Sequence, residues 1–262
     1  MSAPDLTDDL FFGGRLRLLQ PARGHRFGHD AALLAASAPQ GAGAVLDAGA
    51  GVGAAGIAAV IDDPTAQLTL LEIAPALAAL AGENLSRNGL SRRGRAVAAD
   101  LLSAPARRAA GLAPESFGLV LTNPPFLDAG AARVSPDAAR ALAHALPARE
   151  AGAPDPLAAW LRACLACLAP GGELRLIHRA DALARLLAAL EGRAGGVRIA
   201  PIRPRPGEAA TRVVIAATKG SKAALRLEPG LSLANADGTP QPRVHEVLSG
   251  RALWVGFRGV VR

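Results

Sequence analysis

The spacing of hydrophobic and polar positions changes several times along the chain, and each change predicts a different kind of element. Residues 10–21 (LFFGGRLRLLQP) alternate on both sides of a Gly-Gly pair, which predicts a β-hairpin. Residues 24–36 (GHRFGHDAALLAA) end in an apolar run that predicts a short helix with Asp30 as its N-cap. From residue 44 onward, short apolar strands alternate with helical patterns, which is typical of a doubly wound, mostly parallel α/β sheet.

Seven segments have the length and apolar character of buried strands: 44–49, 67–73, 94–100, 117–123, 173–178, 196–202 and 211–218. The helix predicted at 75–89 begins with proline and ends in Asn-Gly, and a later helix is predicted to end at Pro-Gly-Gly, residues 170–172. The last two strands follow each other without a helix, so they are predicted to pair antiparallel. The tail predicts a short hairpin and a helix.

These elements predict a single domain with an α/β fold of seven strands. Its expected parts are an N-terminal hairpin and helix at 1–43, a cofactor-binding and catalytic core at 44–218, and a C-terminal addition at 219–262. Neither a secretory signal nor a membrane-spanning helix is expected, since the acidic start lacks an apolar region and no long uncharged apolar run occurs.

A glycine-rich turn, VLDAGAGVGAAG, follows the first core strand and opens a helix. Glycines let the backbone turn sharply and approach a ligand closely, and the helix N-terminus is expected to offer free amides. Gly51, Gly53 and Gly56 satisfy the dinucleotide pattern G-x-G-x-x-G. Asp47, Gly49, Gly51 and Gly53 satisfy D-x-G-x-G-x-G, which resembles motif I of class I methyltransferases. The turn therefore predicts a nucleotide-containing cofactor and leaves its identity open.

Acidic residues also end the next two predicted strands. Glu72 closes the second core strand, where a carboxylate can accept hydrogen bonds from ribose hydroxyls in either cofactor family. Asp100 closes the third. Three acids at three successive strand ends favour a cofactor site over glycines that serve only helix packing.

The fourth core strand ends in Asn123, Pro124, Pro125 and Phe126, which match the pattern [D/N/S]-P-P-[Y/F/W] of methyltransferases that act on planar nitrogens. The amide oxygen of Asn123 and the carbonyl of Pro124 can accept both hydrogens of an exocyclic amino group, which localises the nitrogen lone pair for attack. The prolines fix the backbone that aims this carbonyl, and Phe126 offers a flat face for a base. Catalysis would then come from positioning and oriented dipoles.

Together these motifs resemble the bacterial adenine-N6 methyltransferases that modify valine tRNA, within the small-domain methyltransferase superfamily. The resemblance covers roughly residues 10–177 and implies a Rossmann-like fold and S-adenosylmethionine as the cofactor. It also implies roles for individual residues. Asp47, Gly49, Gly51 and Gly53 would hold the methionine end, Glu72 the ribose and Asp100 the adenine, while Asp30 would help to close the site and Asn123 would border it.

The family resemblance also places the segment after Phe126 on the substrate side, so Arg133, Arg140 and His144 are expected to meet RNA phosphates. A phenylalanine stands where many relatives have tyrosine, which keeps stacking but loses a hydroxyl. Arginines at 203, 205 and 212 surround the predicted last hairpin, with lysines at 219 and 222 beyond it, and could form a phosphate-contacting rim.

Composition adds moderate support for an RNA partner. The net charge is +7, but only two lysines contribute to it, and the Ala-Gly-Arg background raises arginine regardless of function. Cys164 and Cys167 form C-x-x-C inside a helical pattern without two further ligands, so a buried pair is predicted and no metal. Two cysteines also favour a reducing compartment, the cytoplasm.

Other functions remain open at this stage. Guanine-N2 methylation of ribosomal RNA and glutamine-N5 methylation of a release factor both use a planar nitrogen. The latter enzymes usually carry a separate N-terminal helical domain, for which the residues before 44 are too few. An NAD-dependent dehydrogenase would explain the glycines but not Asn123, and an RNA-binding protein without activity would leave both motifs unused.

Overall fold

The computed structural model describes residues 5–23, 26–125 and 155–251. The strands there are β1 Leu6–Phe11, β2 Leu16–Pro21, β3 Ala44–Ala48, β4 Gln67–Glu72, β5 Gly94–Ala98, β6 Phe117–Thr122, β7 Leu168–Arg179, β8 Ala194–Arg203, β9 Arg212–Lys219, β10 Arg226–Leu227 and β11 Leu231–Ser232. The helices are α1 His29–Ala36, α2 Ala54–Val60, α3 Pro75–Arg87, α4 Ala104–Ala109, α5 Pro156–Cys167, α6 Leu183–Leu190 and α7 Pro242–Leu248, with a 3-10 turn at Ala180–Ala182.

The central sheet confirms the predicted fold class. In the described residues its strands lie in the order β10-β8-β9-β7-β6-β3-β4-β5, and β11 also pairs with β8. Strands β3 to β7 are mutually parallel, whereas β9 runs antiparallel between β7 and β8. The chain leaves β3 on one side for β4 and later returns on the other side as β6. This reversal creates a crevice at the carboxyl ends of β3 and β6, where doubly wound folds bind ligands.

Two apolar clusters cover the two faces of the sheet. One joins the hairpin and helices α1, α2, α3 and α7 to the sheet, and the other joins α5 and α6 to it. No helix among the described residues has the length and apolarity that crossing a bilayer requires.

The predicted hairpin is confirmed as β1 and β2, and it docks against α3 through two side-chain amides. Asn84 is completely buried; its Oδ1 accepts from the Leu19 amide at 2.7 Å, and its Nδ2 donates to the Leu19 carbonyl at 2.9 Å. One turn later, Asn88 pairs with both backbone groups of Arg17. Asparagine side chains thus satisfy backbone groups of β2 that an isolated hairpin would leave to water.

Three local predictions are wrong. Helix α5 ends at Cys167 instead of at Pro-Gly-Gly, because Leu168 is already extended and pairs with Phe117 of β6. Strands β10 and β11 of the tail do not form a hairpin with each other: both pair parallel with β8, at successive positions along its edge, and the antiparallel contact of the tail is a single bridge between Ala234 and Pro240. Asp30 is not the N-cap of α1, because Gly28 occupies that position and Asp30 lies in the first turn.

Candidate active site

A cavity of about 350 Å³ opens at the crevice between β3 and β6, within the size range of small-molecule sites. Its lining combines the segment 26–31, the glycine turn and the end of β6. Among the residues predicted to form the site, the cavity is lined by Asp30, Asp47, Gly49, Gly51 and Asn123. The lining does not include Gly53, Glu72 or Asp100.

The glycines of the turn are required for different reasons. A Cβ atom on Gly49 would lie 2.9 Å from the Trp160 ring, and one on Gly53 would lie 2.6 Å from Leu70, so both positions are set by packing. Gly51 has a φ of +56°, yet a Cβ atom there would meet nothing within 4 Å. Gly51 therefore borders open space, and a side chain at that position would project into room that a ligand can use.

Several amides of the turn are already bonded to acceptors within the protein. The amides of Gly49 and Ala50 both donate to the Leu71 carbonyl at 2.9 Å, and that of Gly53 donates to the Ala50 carbonyl. The Gly51 amide donates to Glu72 Oε2 at 2.9 Å. Four amides of the turn thus already have acceptors within the protein. These four amides are therefore not free to bind an anion.

Asp47 is 2% exposed and lies at the base of the cavity. Its Oδ2 accepts from the Gly56 amide at 2.8 Å, which ties helix α2 to strand β3. Burial raises the pKa of Asp47 to about 7; the Gly56 amide opposes this shift, and the negative charge of Glu72 adds to it. A buried acid that is half-protonated near neutral pH is poised to respond to a cation in the cavity.

The other two acids lie on the adjacent strand ends. Glu72 ends β4, and its two carboxylate oxygens accept from the amides of Gly51 and Ala74 at 2.9 Å each. Asp100 lies two residues beyond the end of β5, and its Oδ1 accepts from the Leu102 amide. Each carboxylate oxygen keeps a second lone pair, so these bonds do not preclude a ligand.

Asn123 follows directly after β6 and is partly buried on the cavity, with Pro124 buried beside it. A hydrogen-bond chain holds this strand end: Trp160 Nε1 donates to Thr122 Oγ1, which donates to the Ala48 carbonyl, each at 2.9 Å. Trp160 therefore supports both the Asn-Pro-Pro segment and Gly49. No local pattern in the sequence marks Trp160 as part of the site, because α5 is distant from β6 in the chain. Phe126, Arg133, Arg140 and His144 lie outside the described residues.

The predicted arginine rim is only partly assembled. Arg203 and Arg212 end β8 and begin β9, so the loop between them lies at the carboxyl edge that also holds Asn123. Arg212 Nε lies 3.0 Å from Asp30 Oδ2, and Arg205 pairs with Glu208. Lys219 ends β9 at the opposite edge of the sheet, about 23 Å of strand away, so its predicted place in the rim is wrong.

The two cysteines are buried free thiols within helix α5. Burial raises the pKa of the Cys164 thiol, an effect that the neighbouring Cys167 strengthens. Such thiols are poor nucleophiles and poor metal ligands. The described residues contain no group of three side chains arranged to hold a metal ion.

Comparison with known proteins identifies relatives of the whole core. The family model of the methyltransferase small domain matches residues 26–148. The crystal structure of Atu636 from Agrobacterium tumefaciens, a predicted O-methyltransferase, aligns with a TM-score of 0.69 and 32% identity, covering 85% of this chain and 97% of that one.

Two further proteins differ in what they methylate. Release factor glutamine methyltransferase of Cereibacter sphaeroides is 29% identical over 191 residues, or 72% of this chain, which spans only 65% of that relative's length. The 16S rRNA N2 G1207 methyltransferase RsmC of T. thermophilus, solved with AdoMet and guanosine, aligns with a TM-score of 0.53 and 20% identity, covering 82% of this chain and 50% of that chain. At that identity RsmC supports the fold alone.

Proposed function

The chain belongs to the methyltransferase small-domain family and uses S-adenosylmethionine, and from this premise we propose that it methylates N6 of an adenine in tRNA. The observation that carries the proposal is the place of Asn123 and Pro124. They follow β6 at the crevice, where Asn123 lines the same cavity as the glycine turn. An acceptor amino group bound there would meet the cofactor's methyl group.

The residues of the cavity suit the cofactor. Bound S-adenosylmethionine supplies an electrophilic methyl group on a sulfonium, and its methionine end carries an ammonium and a carboxylate. We infer that Asp47, which lines the cavity, receives the ammonium, and Gly51 borders the space that the ligand would fill. Glu72 does not line the cavity itself, but its carboxylate accepts from the amide of Gly51, which does. We propose that Glu72 binds the ribose and that Asp100 binds the adenine.

The Asn-Pro-Pro segment favours nitrogen over oxygen as the methyl acceptor. An exocyclic amino group brings two hydrogens, which the Asn123 amide oxygen and the Pro124 carbonyl can both accept. A hydroxyl brings only one and would leave a carbonyl without a partner, at a cost of about 1–3 kcal/mol if that carbonyl is buried. Pro124 is buried, and Trp160 and Thr122 fix the strand end before it.

A second candidate is glutamine methylation of a release factor, favoured by the similarity to the Cereibacter sphaeroides enzyme. A side-chain amide presents the same planar nitrogen with two hydrogens. Guanine-N2 in ribosomal RNA satisfies the same requirement. The adenine-N6 proposal is preferred because the motifs from residue 24 to Phe126 together resemble that family, and the net charge of +7 suits an RNA partner.

The proposal is tested by offering separate substrates. Purified protein is incubated with methyl-labelled S-adenosylmethionine and unmodified tRNA, ribosomal RNA or release factor, in separate reactions. We expect label in tRNA. Label confined to ribosomal RNA or to the release factor would retain nitrogen methylation but overturn the substrate.

Cofactor affinity is expected to rise with pH because of Asp47. The folded pKa is about 7, so the side chain is mostly neutral near pH 6 and mostly ionised near pH 7.5, and only the ionised form attracts the ammonium. Affinity measured by calorimetry should increase several-fold over this range, as ionisation rises from roughly a tenth to three quarters.

Asp47→Asn is the matched control for this pH dependence. The amide oxygen of asparagine can still accept from the Gly56 amide, so the turn is retained while the titrating group is lost. The cofactor affinity of this variant should be low and nearly independent of pH. A pH dependence that survives in this variant would assign it to a group other than Asp47.

The arginines of the β8–β9 loop are expected to bind RNA. Replacing both Arg203 and Arg205 with alanine should raise KM for tRNA several-fold and reduce its salt dependence, because phosphate contacts release counterions. Lys222→Ala removes an exposed cation near the opposite edge of the sheet and should leave KM unchanged. Equal effects of both variants would indicate only a loss of net charge.

A further inference from the structure

The outer wall of the cavity is held by the N-terminal hairpin. Gln20, on β2, is 2% exposed; its Oε1 accepts from the Phe27 amide at 3.2 Å, and its Nε2 donates to Asp9 Oδ2 at 2.8 Å. The Phe27 ring packs edge-on against Phe11 of β1 with centroids 4.7 Å apart. The hairpin thus fixes the backbone of Arg26 and Phe27, which line the cavity.

The same hairpin orients the Arg26 guanidinium. Asp9 Oδ2 accepts from Arg26 Nη2 at 2.8 Å, as well as from Gln20 and from the Thr7 hydroxyl at 2.5 Å. The hydrogen bonds from Gln20 and Thr7, with the nearby Arg26 charge, lower the pKa of Asp9, so it is an ionised anchor at neutral pH. One guanidinium carries five N–H donors, and the Asp9 contact uses only part of them.

The charged groups of the cofactor can be compared with the charged residues that line the cavity. The cofactor brings a sulfonium, an ammonium and one carboxylate. Asp47 suits the ammonium, but the glycine-turn amides of residues 49, 50, 51 and 53 already donate within the protein. Arg26 is a permanent cation in the described lining, and its fork of donors matches a carboxylate.

We propose that Arg26 binds the α-carboxylate of S-adenosylmethionine, and that Asp9 is the positioning residue that holds the Arg26 guanidinium at the cavity. The hairpin is therefore a part of the cofactor site. This inference rests on the cofactor and is independent of which macromolecule is methylated, so it can fail or succeed separately from the tRNA assignment.

The test compares two ligands that differ only in the carboxylate. Calorimetry measures the binding of S-adenosylmethionine and of its decarboxylated form to wild-type protein and to Arg26→Ala. The variant should bind S-adenosylmethionine roughly 10- to 100-fold more weakly, as expected for a lost charged hydrogen bond, and should bind the decarboxylated form nearly as the wild type does. Arg23→Ala, a change at an exposed arginine outside the lining, should alter neither affinity.

The two ligands separate a carboxylate contact from a damaged cavity. If Arg26→Ala weakened the binding of both ligands equally, Arg26 would only shape the cavity wall. If it weakened the binding of neither, the carboxylate would be bound by other donors. Both results would overturn the proposal.

Asp9→Ala tests the positioning role. It should weaken the binding of S-adenosylmethionine several-fold in the wild-type background. In the Arg26→Ala background it should have no further effect, because Asp9 acts on the cofactor only through Arg26. Tighter binding by Asp9→Ala would show that Asp9 competes with the cofactor for Arg26 and would overturn the positioning role.

Discussion

Replacing Asn123 with alanine is expected to lower kcat by about 100- to 1000-fold, the usual loss when one oriented polar group at the reacting centre is removed. The cofactor affinity should change by no more than a few-fold, because Asn123 is one residue of a lining that spans three segments. Single-turnover methyl transfer and calorimetry with S-adenosylmethionine measure the two effects separately. Their divergence would place Asn123 with the acceptor nitrogen.

Asn123→Asp is the matched variant for this experiment. Aspartate keeps an oxygen acceptor at the same position and occurs in the [D/N/S]-P-P pattern, so it should retain more activity than alanine. If the alanine variant turned over at the wild-type rate, acceptance of the amino hydrogens by Asn123 would have no part in the reaction.

Replacing Glu72 with alanine should have the next largest effect, a loss of cofactor affinity of roughly 10- to 100-fold. Two causes combine in this variant. The proposed ribose contact is lost, and the amides of Gly51 and Ala74 lose the acceptors that shape the turn. The free energy of unfolding should also fall by about 1–3 kcal/mol, because the site is nearly buried. Calorimetry and denaturant unfolding measure the two losses.

Glu72→Gln separates the two causes. Glutamine keeps the side-chain volume and can accept from one of the two amides, so it should lose less stability than alanine, while the charged hydrogen bonds to ribose are lost. A glutamine variant with wild-type affinity would show that Glu72 serves only the turn and that the ribose is bound elsewhere.

Local sequence signals predicted the parts of the site that a short segment determines by itself. Asp47 and the glycines lie within one strand–turn–helix unit, and the parallel strands bring Asn123 to the same edge without further information. Helix α3 begins at Pro75 and ends at Arg87 before Asn-Gly, as its termini predict. These features depend on backbone constraints that act over a few residues.

Features that depend on tertiary contacts escaped prediction. Asn84 has nothing in its helical neighbourhood to mark it as the partner of Leu19, which is 65 positions away. Trp160 and Thr122 meet only after α5 packs on the sheet. The amides of Gly49, Ala50 and Gly51 donate to Leu71 and Glu72 of the adjacent strand, so their availability could not be judged from the turn alone.

The tail illustrates a competition that sequence patterns do not resolve. Residues 226–227 and 231–232 have turn residues between them, which predicts a hairpin, but the exposed edge of β8 offers each of them a partner. Leu231 also becomes buried there, next to the cluster on the helix α1 face. The pairing with β8 therefore adds burial of Leu231 to the hydrogen bonds of the short strands.

The identity of the methylated atom distinguishes transfer to an exocyclic amino group from transfer to any other acceptor. Unmodified tRNA is incubated with the protein and S-adenosylmethionine that carries a heavy-isotope methyl group, and the RNA is digested to nucleosides for mass spectrometry. We expect N6-methyladenosine as the labelled nucleoside, and none when Asn123→Ala replaces the wild type. Label on a ribose oxygen, or on a ring nitrogen without an amino hydrogen, would contradict the role assigned to Asn123 and Pro124.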